Sequence, residues 1–146
     1  EEDVSPMVLG GHGDTMVPLP RYTTVGGIPI TQLMSEDRIE AISARTAGGG
    51  GEIVKLLERG SAFYAPGSAA AIMAEAVLND RRRVIPASCH LTGQYGLEDV
   101  YIGVPCIIGA NGVEKIFELD LSADELESLQ GSANFYKGQL KEILGY

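Results

Sequence analysis

The chain has 146 residues, 45% of them hydrophobic and 21% charged, with a formal net charge of -9. That length suits one domain with a sizeable core, and no low-complexity tract long enough to suggest disorder interrupts it. The acidic balance argues against nucleic acid and anionic membrane surfaces as partners, because both call for a basic face.

The opening Glu1-Glu2-Asp3 is unlike a signal peptide, no apolar stretch approaches the roughly twenty residues that span a bilayer, and the missing initiator Met suggests a start inside a longer parent. Val4 to Leu9 reads as a strand delivering the turn Gly10-Gly11-His12-Gly13-Asp14, and Met16 to Leu19 continues as an extended piece broken by Pro18 and Pro20. Tyr22 to Val25, then Gly26-Gly27, then Ile28 to Ile30 reads as a hairpin with His12 at its edge.

Ser35 is placed as an N-cap, with Glu36 and Asp37 favoured by the helix dipole. The stripe Ile39, Ile42, Thr46, Gly49, Ile53, Leu56 and Leu57 predicts one helix over Glu36 to Arg59, kinked or interrupted at Gly48 to Gly51. Glycine in a helix costs about 0.8 to 1 kcal/mol relative to alanine, so four together need a reason. A phosphate loop does not fit, since no Lys-Ser/Thr follows and no strand precedes. A hinge or a close helix contact does.

Pro66 suits the first turn of the next helix, and Ala69 to Leu78 is apolar on nearly every side, which predicts burial under a sheet or in a subunit interface. Arg81-Arg82-Arg83 reads as a solvated cap after that helix. Arg83 to Leu91, Val100 to Ile108 and Gly112 to Leu119 read as an antiparallel meander. Cys89 and Cys106 fall within it and are expected as reduced, buried thiols of a cytoplasmic protein. Ser122 opens a capping box with Glu125, and Leu126, Leu129, Ala133, Tyr136, Leu140 and Ile143 form an amphipathic stripe that packs the last helix on the sheet. The fold class is α+β, antiparallel strands packed with long helices.

His12 is the residue with catalytic promise: an imidazole that titrates near neutrality, set among glycines that admit a ligand close to the backbone. A metal site is not expected, because His12, Asp14, Cys89 and His90 have no zinc spacing and the adjacent Cys89 and His90 should face opposite sides of a strand. A hydrolase is not expected either, for want of a G-x-S-x-G elbow.

The stretch Gly10 to Pro20 followed by Tyr22 to Ile30 resembles the histidine loop of the lactate and malate dehydrogenases, particularly the lactate-dehydrogenase-like malate dehydrogenases. Gly60-Ser61-Ala62-Phe63-Tyr64-Ala65-Pro66, Gly93 to Gly96, Gly103-Val104-Pro105 and Gly109 to Glu114 continue the likeness in order and spacing. It covers nearly the whole chain, but only the second half of the family's polypeptide. The resemblance implies that residues 1–146 are a substrate-binding, catalytic-histidine domain whose N-terminal dinucleotide-binding domain lies outside the chain. It implies NAD as cofactor, (S)-malate and oxaloacetate as substrate pair, and a homo-oligomer, dimer or tetramer. It makes His12 the proton acceptor and donor, puts Ser61 and Ala62 on the substrate's flank, and sets Pro66 near the nicotinamide. The aspartate that orients the histidine and the arginines that grip the substrate belong to the other half, so Asp14 reads as loop-shaping, Arg21, Arg38, Arg45 and Arg59 read as surface or interface residues, and the chain alone is expected to be inactive. The alternatives are a non-catalytic oligomerisation module, and lactate rather than malate as substrate.

Overall fold

A computed structural model describes residues 3–145, so Glu1 and Glu2 of the acidic opening, and Tyr146, lie outside the described residues. In chain order come β1 (Val4–Ser5), β2 (Val8–Gly10), β3 (Met16–Pro18), β4 (Thr24–Val25), β5 (Ile28–Pro29), α1 (Glu36–Leu57), α2 (Tyr64–Leu78), β6 (Arg83–Thr92), β7 (Glu98–Gly109), β8 (Gly112–Ile116) and α3 (Ala123–Leu144). This is the expected α+β class, with every strand pairing antiparallel.

The expected single strand Val4 to Leu9 is two strands in different sheets. Pro6, which has no N–H to extend a ladder, lies between them. β1 joins β4 and β5 in a small sheet, whereas β2 joins β3 and β7 in the main one, ordered β3-β2-β7-β6 with β8 also on β7. The Gly26-Gly27 hairpin forms as expected, both glycines at positive φ, but it pairs with β1. His12 therefore sits at the end of β2, away from the hairpin's edge.

β7 is the spine of the main sheet. Val100, Ile102, Val104, Cys106 and Ile108 alternate onto one face, meet Cys89 and Leu91 of β6, and are covered by Leu129 and Ala133 of α3. β2 touches β7 through the single pair Gly10↔Gly103. A Cβ at Gly103 would stand 2.6 Å from the Gly10 carbonyl oxygen, so the two backbones cross where neither carries a side chain. Tyr95, buried and left-handed at φ 55°, staples the turn between β6 and β7 to the approach to α3: its hydroxyl donates to Phe117 O (2.8 Å) and accepts from Leu119 N–H (2.9 Å).

α1 runs unbroken through Gly48 to Gly51 and ends at Leu57, two residues short of the expected Arg59, because Glu58 turns left-handed. Ser35 caps it in backbone geometry only, with no side-chain hydrogen bond. Across the glycine run Arg45 and Glu52 form a two-point pair at 2.8 and 3.0 Å. α3 begins with the full capping box between Ser122 and Glu125, and its Leu140 and Ile143 run out into solvent.

α2 departs most from expectation. Of its residues only Ala76 is buried, while Leu78 is 83% and Tyr64 76% exposed, so it is not buried under the sheet of this chain. After it, Arg81 pairs with Glu75, and Arg82 with Asp80 and Glu114, a charged cap as the sequence suggests. Among the described residues no helix is long and apolar enough to cross a membrane.

Candidate active site

β2 ends in a left-handed Gly10, and a short 3-10 turn over Gly13–Thr15 returns the chain into β3, leaving His12 exposed at the bend. Asp14 lies in that turn and is exposed, and among the described residues no carboxylate pairs with the His12 ring. What fixes the bend is its backbone. Gly11 N–H donates to Ser132 Oγ at 2.9 Å and His12 N–H donates to Tyr136 Oη at 3.1 Å, both partners coming from α3. The Thr15 hydroxyl lies 3.4 Å from the same phenol oxygen.

On another side the glycine run of α1 reaches the loop. A Cβ on Gly50 would come within 3.7 Å of His12 Nε2, an ordinary contact, and Cβ atoms on Gly48, Gly49 and Gly51 would meet nothing within 4 Å, so close approach does not explain the glycine run. Beside His12 opens a cleft of ≈ 460 Å³ walled by Gly10, Gly11, Tyr136, Ser88, Tyr101 and Gly103 among others. Its lining contains no Lys or Arg, so this wall carries no fixed positive charge with which to grip two carboxylates. Ser61 and Ala62 lie on the connection from α1 to α2, and Pro66 is the third residue of α2. None of the three lines the cleft, and the structure does not bring them to His12 within this chain.

The remaining arginines are spoken for or peripheral. Arg21 is held by Glu125 (2.6 and 3.3 Å) and the Asp120 carbonyl (2.7 Å), which raises its pKa and lowers that of Glu125 through their hydrogen bonds. Cys89 and Cys106 are buried and free, and burial pushes both thiols up, Cys106 to about 12. Neither presents a thiolate at neutral pH. Among the described residues no group of three or more His, Cys, Asp or Glu is arranged to hold a metal ion.

Ser132 and Tyr136 are the site residues that sequence reasoning missed. Both fall within the amphipathic span of the last helix, where a residue reads as packing. The available signal was a hydroxyl at each of two positions four apart.

Comparison with known proteins gives this geometry its setting. The family of lactate/malate dehydrogenase alpha/beta C-terminal domains matches residues 1–145. A malate dehydrogenase of Thermomicrobium roseum is 63% identical over 132 residues, which cover 90% of this chain and 42% of that protein. The solved malate dehydrogenase of Salinibacter ruber superposes with a TM-score of 0.94 at 54% identity, covering 98% of this chain and 47% of that one. A lactate dehydrogenase of Eimeria maxima, solved with NADH and oxamate, gives 0.93 at 47% identity, covering 99% of this chain and 46% of that one. The chain thus spans less than half the length of the relatives it matches.

Proposed function

Because the chain belongs to the lactate/malate dehydrogenase family, matching its alpha/beta C-terminal domain, we propose that it is the substrate half of an NAD-dependent malate dehydrogenase in which His12 moves the proton. When malate is oxidised the His12 imidazole accepts the hydroxyl proton, and on reduction of oxaloacetate it returns it. The observation that carries this reading is the bend itself: an exposed imidazole on a backbone held at two successive amides, at the mouth of a cleft. Malate rather than lactate rests on the names of the relatives. Cytoplasmic residence is supported by the two free, buried thiols.

NAD would be bound mainly outside this chain. A dinucleotide fold needs parallel strands leading through a glycine turn into a helix, whereas every pairing here is antiparallel. The cofactor, which supplies hydride chemistry when bound, belongs with an N-terminal half, and Pro66 would lie near its nicotinamide. That half would also supply the cations missing from the cleft and a carboxylate to orient His12. Ser61 and Ala62, exposed and half-buried on their loop, would meet substrate only once it is in place.

The test is malate-dependent reduction of NAD by the 146-residue chain alone, by the chain joined to the N-terminal half of its Salinibacter ruber relative, and by that fusion carrying His12→Ala. Turnover by the fusion only is expected. Turnover by the chain alone, or by the His12→Ala fusion at the parent rate, would overturn the proposal.

A second reading has an observation of its own. Met73, Val77 and Leu78 of α2 with Ile108 and Val113 form an apolar groove of ≈ 410 Å³, as expected of an assembly module that associates without chemistry. A fusion that oligomerises but never turns over malate would favour it.

A further inference from the structure

The bend carrying His12 is governed from the far end of the chain. Gly11 N–H meets Ser132 Oγ and His12 N–H meets Tyr136 Oη, so two successive amides are taken by two hydroxyls one helical turn apart on α3. Ser132 is only 4% exposed, and its hydroxyl has Gly11 for partner. The contact is steric as well as polar. A Cβ on Gly11 would overlap the Tyr136 ring and the Thr15 hydroxyl, so the loop lies flat against the phenol and any side chain at position 11 would have to displace it. The His12 ring, by contrast, has no carboxylate partner among the described residues. Within this chain the backbone beneath it is what anchors its position.

We infer that Ser132 and Tyr136 are positioning residues: a hydroxyl staple on α3 that fixes the peptide planes at Gly11 and His12, and with them the direction from which the imidazole meets substrate. This rests on the reading of His12 as the proton-transfer group. The staple touches neither ring nitrogen and takes no part in proton transfer. Its effect is geometric, and a displacement of about 1 Å at a reacting group costs up to about a hundredfold in rate. Tyr136 also lines the cleft, and its hydroxyl is approached by both the His12 amide and the Thr15 hydroxyl.

Tyr136→Phe keeps the ring that packs on Gly11 and removes only the acceptor. In the 146-residue chain its expected result is an upfield shift and faster hydrogen exchange at the His12 amide, with the fold retained. In the fusion to the N-terminal half of the Salinibacter ruber relative, kcat should fall about tenfold while KM for malate stays within about twofold, since geometry rather than binding is altered. Ser132→Ala should act likewise through the Gly11 amide, which covers the case in which one variant folds poorly. An unmoved His12 amide in Tyr136→Phe would overturn the inference. So would a moved amide with unchanged kcat, because the staple would then only stabilise the fold. His12→Ala in the same fusion separates the two levels. Activity surviving that change removes the proton-transfer role and the inference with it. Activity lost there but fully kept in Tyr136→Phe removes the staple alone.

Discussion

Substituting Gly103 by alanine tests how the histidine loop is hung on the sheet. The new methyl would stand 2.6 Å from the Gly10 carbonyl oxygen, about 0.8 Å inside the 3.4 Å at which ordinary contact begins. The obstacle is backbone, so no rotamer change relieves it. β7 is held by β6 along one edge and by β8 along part of the other, whereas β2 meets it at one pair, so β2 is the strand that yields. Overpacking of this kind costs about 1 to 3 kcal/mol. With a urea dependence of about 2 kcal/mol/M, the unfolding midpoint should fall by about 0.5 to 1.5 M at unchanged slope. Because Gly10 precedes His12 by two residues, amide shifts should concentrate between Val8 and Pro18 and at Tyr136. Gly131→Ala, where the methyl meets nothing within 4 Å, is the control that should not lose stability. A Gly103→Ala chain within about 0.3 kcal/mol of the parent, with the His12 amide unmoved, would refute the close crossing on which this argument depends.

Gly49→Ala should stabilise the chain by about 0.8 to 1 kcal/mol, because its methyl enters open space on a continuous helix; calorimetry should find the midpoint raised by about 2 to 4 °C. A fall would mean that the glycine run is not helical in solution. Glu125 should matter only above the acid range. Its pKa is lowered from 4.5, first by the hydrogen bond from Arg21, so the folded state binds its proton less readily than the unfolded state does. The stability it contributes is complete above the ordinary carboxylate value and disappears as pH falls below 4.5 through the folded value. Urea midpoints of the parent and Glu125→Gln should therefore differ at pH 7 and converge in acid, and a difference that persists there would contradict the assignment.

Much of the architecture could be read from local chemistry. Two helices announced themselves by stripes and caps and a third by Pro66 and its apolar run, the capping box at Ser122 formed as expected, and the meander from Arg83 formed, its last strand ending at Ile116 rather than Leu119. The failures have particular causes. Periodicity is blind to which sheet a strand joins, so Pro6 divides a run whose apolar pattern looked continuous. An all-apolar helix states that something must cover it without naming the cover, and among the described residues only the strip of α2 at Ala76 and Val77 is packed on the core. The histidine could be picked out from its glycine neighbours, yet its supports could not. Ser132 and Tyr136 lie 121 and 124 residues from the loop they hold, a separation that only the folded topology closes. Ser61, Ala62 and Pro66 came from resemblance alone, and none of them lines the cleft beside His12.

The bareness of α2 also sets the chain's behaviour as a colloid. Together α1 and α2 leave Leu56, Leu57, Tyr64, Ile72, Met73 and Leu78 in contact with water, which favours sticking between copies. Opposing that is a long-range repulsion from a net charge of -9 carried by every copy. The two forces have different reach: salt shortens the repulsion to about 8 Å at physiological strength and leaves the apolar contact untouched. For the chain on its own, charge therefore works against association, and added salt should move it toward clustering rather than toward ideality.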